Sequence, residues 1–306
     1  MMVHNLLSLP GMTIRELEKS FIDQLSASYG FEEAHSLAWL SISHVCRLSR
    51  TQYLNAKQNA PSMTEEALLL KVLEELKTGK PLQYVLGETE FYGLPFKVNP
   101  SVLIPRPETE ELVDWIIKDL KSTYSEFASV KIIDIGTGSG CIPIALQKNI
   151  PAIQAFGIDI SKAALDTANT NSALNNSEAI FFNDDIFNIT QPQVIESKYN
   201  LIISNPPYVT YAEKEQMHRN VLAFEPHNAL FVSNDDPLIF YRAIVLFALT
   251  HLKENGKLFL EINENLGTET VSLLSQYGFE NIELRSDLRG RPRMIKAGMR
   301  STLSKT

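Results

Sequence analysis

Four consecutive residues, Asn205-Pro206-Pro207-Tyr208, hold the groups best suited to chemistry in this chain of 306 residues. They follow the apolar run Leu201-Ile202-Ile203, which has the pattern of a buried parallel strand. Neither proline can donate to a sheet ladder, so the strand must stop at Ser204 or Asn205. Each proline also holds the residue before it extended. The result is a stiff strand tip. The Asn205 side-chain oxygen and the Pro206 backbone carbonyl can each accept one hydrogen of a planar NH2 group, and the Tyr208 ring can cover its plane. A nitrogen held this way has its alignment entropy supplied in advance. For the tetrapeptide alone, a proline turn closing a strand is the plain alternative, so the reading depends on what surrounds it.

A second cluster is Gly136-Thr137-Gly138-Ser139-Gly140, after the apolar run Ile132-Ile133-Asp134-Ile135. Glycines there let the backbone approach a ligand and leave amide N–H groups free to bond it. The spacing is G-x-G-x-G. It differs from the dinucleotide fingerprint, and no Gly-Lys-Ser/Thr follows to make a P-loop. Asp159 lies about twenty residues on, where a doubly wound sheet accepts hydrogen bonds from ribose hydroxyls. Further on, Asp184 or Asp185 could reach an adenine amino group. Asp185 and Ile186 fit the line of strand tips better, and a solvated turn aspartate describes Asp184 equally well. Arg106 and Glu108 read first as a helix-start ion pair, with a loop folding over a substrate as the other reading.

These residues need a frame, and the periodicities supply one. Thr13 and Glu16 form a capping box ahead of a helix over roughly 13–29; Phe31–Val45 is a second helix, and a third starts near Ser62 and Glu65 and ends at Gly79. Residues 1–87 are expected to be a small helical unit that docks a protein substrate. Residues 88–106 read as a hairpin linker with its turn near Tyr92–Pro95, and a helix opens at Glu108. From Lys131 strands and helices alternate: Lys131–Ile135, Gln154–Ile158, Ala179–Phe182, Asn200–Ser204 and Lys257–Ile262, then an antiparallel pair, Phe279–Leu284 with Pro292–Ala297. All the chemical residues fall at strand carboxyl ends, where such sheets bind ligands. The connection 209–236 is long enough to suggest function. Residues 107–298 are thus expected to form the catalytic domain, and 299–306 a frayed tail.

Composition excludes some classes of function. The formal net charge is −8, with nine Lys/Arg against eleven Asp/Glu in 1–105 and nineteen against twenty-five in 106–306. Neither half offers a broad basic surface for nucleic acid. Two cysteines, Cys46 and Cys141, lack metal spacing and fit a reducing cytoplasm. No apolar run reaches membrane-spanning length, and Met1–Pro10 lacks the pattern of a signal peptide. Neither a metal nor a membrane partner is expected.

Asp134–Gly140, Asp159 and Asn205–Tyr208 together resemble class I S-adenosylmethionine-dependent methyltransferases that modify planar nitrogens. Further segments narrow the likeness: Pro81–Gly87, Glu90–Gly93, Leu103–Glu110 and Phe224-Glu225-Pro226 resemble the peptide chain release factor glutamine methyltransferases. The likeness runs from about Pro81 to Ala297. Ile186 stands where some members carry an aromatic residue, and Ile262-Asn263-Glu264 differs from the usual glycine-containing segment. The resemblance implies an α/β doubly wound sheet, mostly parallel with an antiparallel last strand, preceded by a small all-helical domain. It also implies S-adenosyl-L-methionine as cofactor, held by Gly136, Thr137, Gly138, Ser139, Gly140, Asp159, Asp185, Ile186 and Asn205. The implied activity is N5-methylation of the glutamine in the Gly-Gly-Gln tripeptide of class 1 release factors, with Asn205, Pro206 and Tyr208 catalytic and Pro207 completing the substrate contact. The alternatives are a ribosomal-protein glutamine methyltransferase, an N6-adenine nucleic-acid methyltransferase, and a non-catalytic protein that docks on ribosomal factors.

Overall fold

The computed structural model describes residues 11–127 and 129–299. The expectations for Met1–Pro10 and for the tail beyond Met299 lie outside the described residues. The chain divides into two compact units, one running to Leu86 and joined by Arg219–Phe224, the other holding the rest.

The first unit contains α1 (Ile14–Tyr29), α2 (Phe31–Val45), α3 (Arg50–Asn55), α4 (Met63–Lys77) and α5 (Leu82–Leu86). Capping boxes start α1, α3 and α4: Thr13 with Glu16, Ser49 with Gln52, Ser62 with Glu65. Each satisfies two otherwise unpaired helix amides, worth about 1 kcal/mol. Leu17, Phe21 and Leu25 from α1 pack against Ala34, Ala38 and Ile42 from α2 and Leu69, Leu73 and Leu76 from α4. The spacing of apolar residues anticipates those three helices. It does not anticipate α3, whose six residues show too little periodicity, although its Tyr53 is buried and its hydroxyl donates to Glu18 at 2.8 Å.

In the second unit β1 (Glu88–Phe91) and β2 (Leu94–Lys97) form the expected hairpin. Then follow α6 (Pro107–Thr123), β3 (Lys131–Ile135), α7 (Cys141–Asn149), β4 (Gln154–Asp159), α8 (Lys162–Leu174), β5 (Ile180–Asn183), α9 (Pro192–Ile195) and β6 (Tyr199–Ser204). The 209–236 connection is not a bare loop. It carries β7 (Val209–Thr210), a 3-10 turn, α10 (Arg219–Phe224), which belongs to the helical unit, a second 3-10 turn and β8 (Phe231–Val232). The chain closes with α11 (Ile239–His251), β9 (Leu252–Glu261), α12 (Gly267–Gln276), β10 (Phe279–Ser286) and β11 (Pro292–Met299). Residues 102–106, readable from the sequence as a short strand or an extended segment, carry no strand, and Pro107 already opens α6.

Seven strands make one sheet in the order β10-β11-β9-β6-β3-β4-β5. Neighbours from β9 to β5 run parallel, while β11 is antiparallel to both β9 and β10. Side chains alternate between faces, so Ile132, Leu201, Ile203 and Phe259 enter one core with α6 and α7, while Ile133, Ile202, Leu258 and Leu260 enter the other with α11 and α12. Burial on both faces explains why these strands read as unbroken apolar runs.

Candidate active site

The strand order reverses between β3 and β6, which lie side by side with Ile135 opposite Ser204. The Ser204 hydroxyl donates to the Ile135 carbonyl at 2.7 Å and pins the two tips together. Chains leaving a parallel sheet at such a reversal part in opposite directions and open a crevice. Gly136 and Asn205 are the first residues beyond these tips. Both line one cavity of about 350 Å³, together with Thr137, Gly138, Ser139, Asp159, Asp185, Ile186, Pro206 and Pro207.

The glycine turn is shaped for close approach. Gly136 and Gly138 have φ of +74° and +55°, with open space where a Cβ would point. The Asp159 carboxylate accepts from the Gly138 amide and, with its other oxygen, from the Ser161 amide, both at 2.9 Å. Each oxygen keeps a lone pair for a ligand hydroxyl. Thr137 Oγ1 and both carboxylate oxygens of Asp134 are buried without a hydrogen-bond partner. Burial pushes the Asp134 carboxyl up to about 8, and the nearby Asp159 adds to the shift. The Asp159 carboxylate beside a glycine cradle suits a ligand that brings hydroxyl donors. Gly140 does not line the cavity. At φ +76° its added Cβ would meet the Phe181 side chain at 2.9 Å, so this glycine serves the turn and its packing. Cys141 does line the cavity, yet burial pushes its thiol up to about 12, which rules it out as a nucleophile near neutral pH.

At the other end, Asn205 Nδ2 donates to Thr109 Oγ1 at 3.2 Å. The Thr109 hydroxyl donates to Glu261 Oε2 at 2.6 Å, and the Tyr208 hydroxyl to Glu261 Oε1 at 3.1 Å. The Tyr208 hydroxyl is held by the buried Glu261, and its ring packs partly against the core shared with α11 and α12. Asn263 Nδ2 donates to the Tyr208 carbonyl at 2.9 Å and to Glu213, so the residue that departs from the family's glycine segment anchors the end of the tetrapeptide. Sequence reasoning missed Thr109 and Glu261. The signals were the place of Thr109 within the family-like segment Leu103–Glu110 and a carboxylate at the apolar end of a buried strand.

Two other expectations change. Arg106 pairs with Glu225, not Glu108: Arg106 Nη2 lies 2.5 Å from Glu225 Oε1, and the Ile104 amide donates to Glu225 Oε2 at 3.2 Å. The buried glutamate thereby holds the cavity-lining segment 101–106 against the long connection. Of the two aspartates, Asp184 accepts from the amides of Asp185, Thr190 and Gln191 and so stabilises its own loop. Asp185 accepts from the Phe187 amide with one oxygen, at 2.9 Å.

The reversed sheet order, the glycine turn and the acid at the β4 tip define an α/β methyltransferase. Residues 113–230 match the methyltransferase small domain family, and residues 16–87 match the PrmC N-terminal domain. A release factor glutamine methyltransferase of Flavobacterium psychrophilum is 44% identical over 289 residues, covering 94% of this chain and 100% of that protein. One from Bacteroides thetaiotaomicron is 36% identical over 269 residues, covering 88% and 94%. The chain belongs to the release factor glutamine methyltransferase family. In fold it is also similar to the hMettl16 catalytic domain solved with a MAT2A 3'UTR hairpin, at a TM-score of 0.53 and 15% identity, covering 88% of this chain and 94% of that one. Methyltransferases of this class use S-adenosyl-L-methionine, and the donor-seeking cradle at Gly136–Asp159 fits it. Among the described residues no helix is long and apolar enough to cross a membrane.

Proposed function

We propose that the chain methylates the side-chain amide nitrogen of the glutamine in the Gly-Gly-Gln motif of class 1 release factors, as a cytoplasmic enzyme. When bound, S-adenosyl-L-methionine supplies an electrophilic sulfonium methyl. An amide nitrogen is a poor nucleophile, because its lone pair is delocalised. Asn205 and Pro206 accept its two hydrogens, orient it, and stabilise the positive charge that develops on it. Pro207 keeps that corner rigid. Gly136–Ser139 and Asp159 hold the cofactor's polar groups, and Asp185 and Ile186 flank its base. No side-chain base is required before transfer, since the methylated amide becomes acidic enough to lose its proton afterwards.

The observation that supports this most is that Asn205, Pro206 and Pro207 line the same cavity as Gly136–Ser139. The net charge of −8 further favours a protein over a nucleic-acid substrate. The test is mass spectrometry after incubating enzyme and methyl-labelled cofactor with a purified release factor, a ribosomal protein, or adenine-containing DNA and RNA. Label on the release factor glutamine is the expected result. Label confined to nucleic acid or to the ribosomal protein would overturn the reading.

A further inference from the structure

We propose that Glu261, acting through the Thr109 hydroxyl, fixes which way the Asn205 carboxamide points and so decides that its oxygen faces the substrate. The proposal rests on the reading of Asn205 given above. Glu261 is the last residue of β9, which pairs with β6 so that Leu260 stands opposite Ser204; Glu261 therefore lies level with Asn205. Thr109 reaches the pair from the first turn of α6. Glu261 is buried, 1% exposed; burial pushes its carboxyl up, while the Thr109 and Tyr208 hydroxyls that donate to it favour the charged form, in which it can only accept. It takes the Tyr208 hydroxyl hydrogen on one oxygen and the Thr109 hydroxyl hydrogen on the other.

That contact removes the ambiguity of the amide. Thr109 has a single hydrogen and gives it to Glu261, so toward Asn205 its oxygen can only accept. The group it faces must then be Asn205 Nδ2, at 3.2 Å. The opposite flip would set two acceptor oxygens against each other and turn an NH2 toward the substrate NH2. Arg293, itself held by Glu264 and Asp287, adds a positive charge that partly offsets the effect of burial on Glu261. Glu261 is thus a positioning residue behind the cavity wall, and Thr109, which lines the cavity beside Asn205, relays its effect.

Three variants test this. Thr109→Val keeps the shape and removes the hydroxyl, while Thr109→Ser keeps the hydroxyl. Glu261→Gln keeps the shape but brings an NH2 that can itself donate to Thr109, freeing either flip. Steady-state kinetics on release factor at saturating S-adenosylmethionine should show kcat lower by about tenfold in Thr109→Val and in Glu261→Gln, the scale of one lost positioning hydrogen bond. Thr109→Ser should stay within about twofold of wild type. Cofactor affinity by calorimetry should be unchanged in all three. Equal kcat in the Val and Ser variants, whether kept or lost in both, overturns the proposal. Should Thr109→Val fail to fold, Glu261→Gln decides alone, and a retained kcat overturns it. Wild-type enzyme that leaves release factor unmodified overturns both this and the function on which it rests.

Discussion

In the proposed reaction Asn205 acts as an acceptor, and its value lies in its fixed orientation. Asn205→Ala removes that acceptor without touching the glycine turn. The expected outcome is a fall in kcat of about 10²- to 10³-fold, the usual scale for one preorganised polar group at a reacting centre. Cofactor affinity measured by calorimetry should shift by less than about tenfold. Asp134 leads to a prediction about stability. Its folded carboxyl is raised to about 8, whereas an unfolded aspartate titrates near 3.9. The folded chain therefore binds a proton that the unfolded chain releases, and the contribution of this group to stability declines as pH rises from about 4 to 8. Asp134→Asn should flatten that decline and melt higher than wild type at pH 8 in cofactor-free protein. Thermal melts at pH 5 and pH 8 check this; parallel shifts for both proteins would show that Asp134 is not the titrating group.

At the scale of elements, the site is framed by segments that meet from far apart in sequence. Segment 101–106 lines the cavity, and Glu225 holds it through Arg106 and the Ile104 amide. Glu225→Gln keeps the shape, removes the charge and leaves one of the two bonds without a good acceptor. It should lower stability by about 1–3 kcal/mol in urea unfolding and weaken cofactor binding. Unchanged affinity would mean that 101–106 keeps its position without the pair. The same connection contributes Glu213, which caps Thr210 and accepts from Asn263 and Asn265. Its polar composition is legible in the sequence, but these partners are not, because a glutamate's partner 50 residues away leaves no periodic trace.

For the whole molecule, the division into two units yields one further expectation. Deleting residues 1–86 should raise KM for release factor while leaving S-adenosylmethionine affinity nearly unchanged, if the helical unit docks the substrate. Loss of cofactor affinity instead would count against that role. The deletion also strips α10 of the helices it packs with, so the truncated chain should expose Phe224 and be less soluble. The 209–236 segment is thus shared: its middle belongs with the helical unit and its ends with the sheet.

Local rules carried the sequence reading a long way. Capping boxes marked the starts of α1 and α4, apolar runs marked strands buried on both faces, and prolines ended β6 at Ser204. Glycines at positive φ marked the ligand turn. All of these act within a few residues of themselves, so they can be read from the chain alone. Tertiary structure decided which side chains meet: Thr109 with Asn205, Glu261 with Thr109 and Tyr208, and Arg106 with Glu225. These contacts join segments brought together by strand order and register, and each buried carboxylate takes whichever donors the fold delivers.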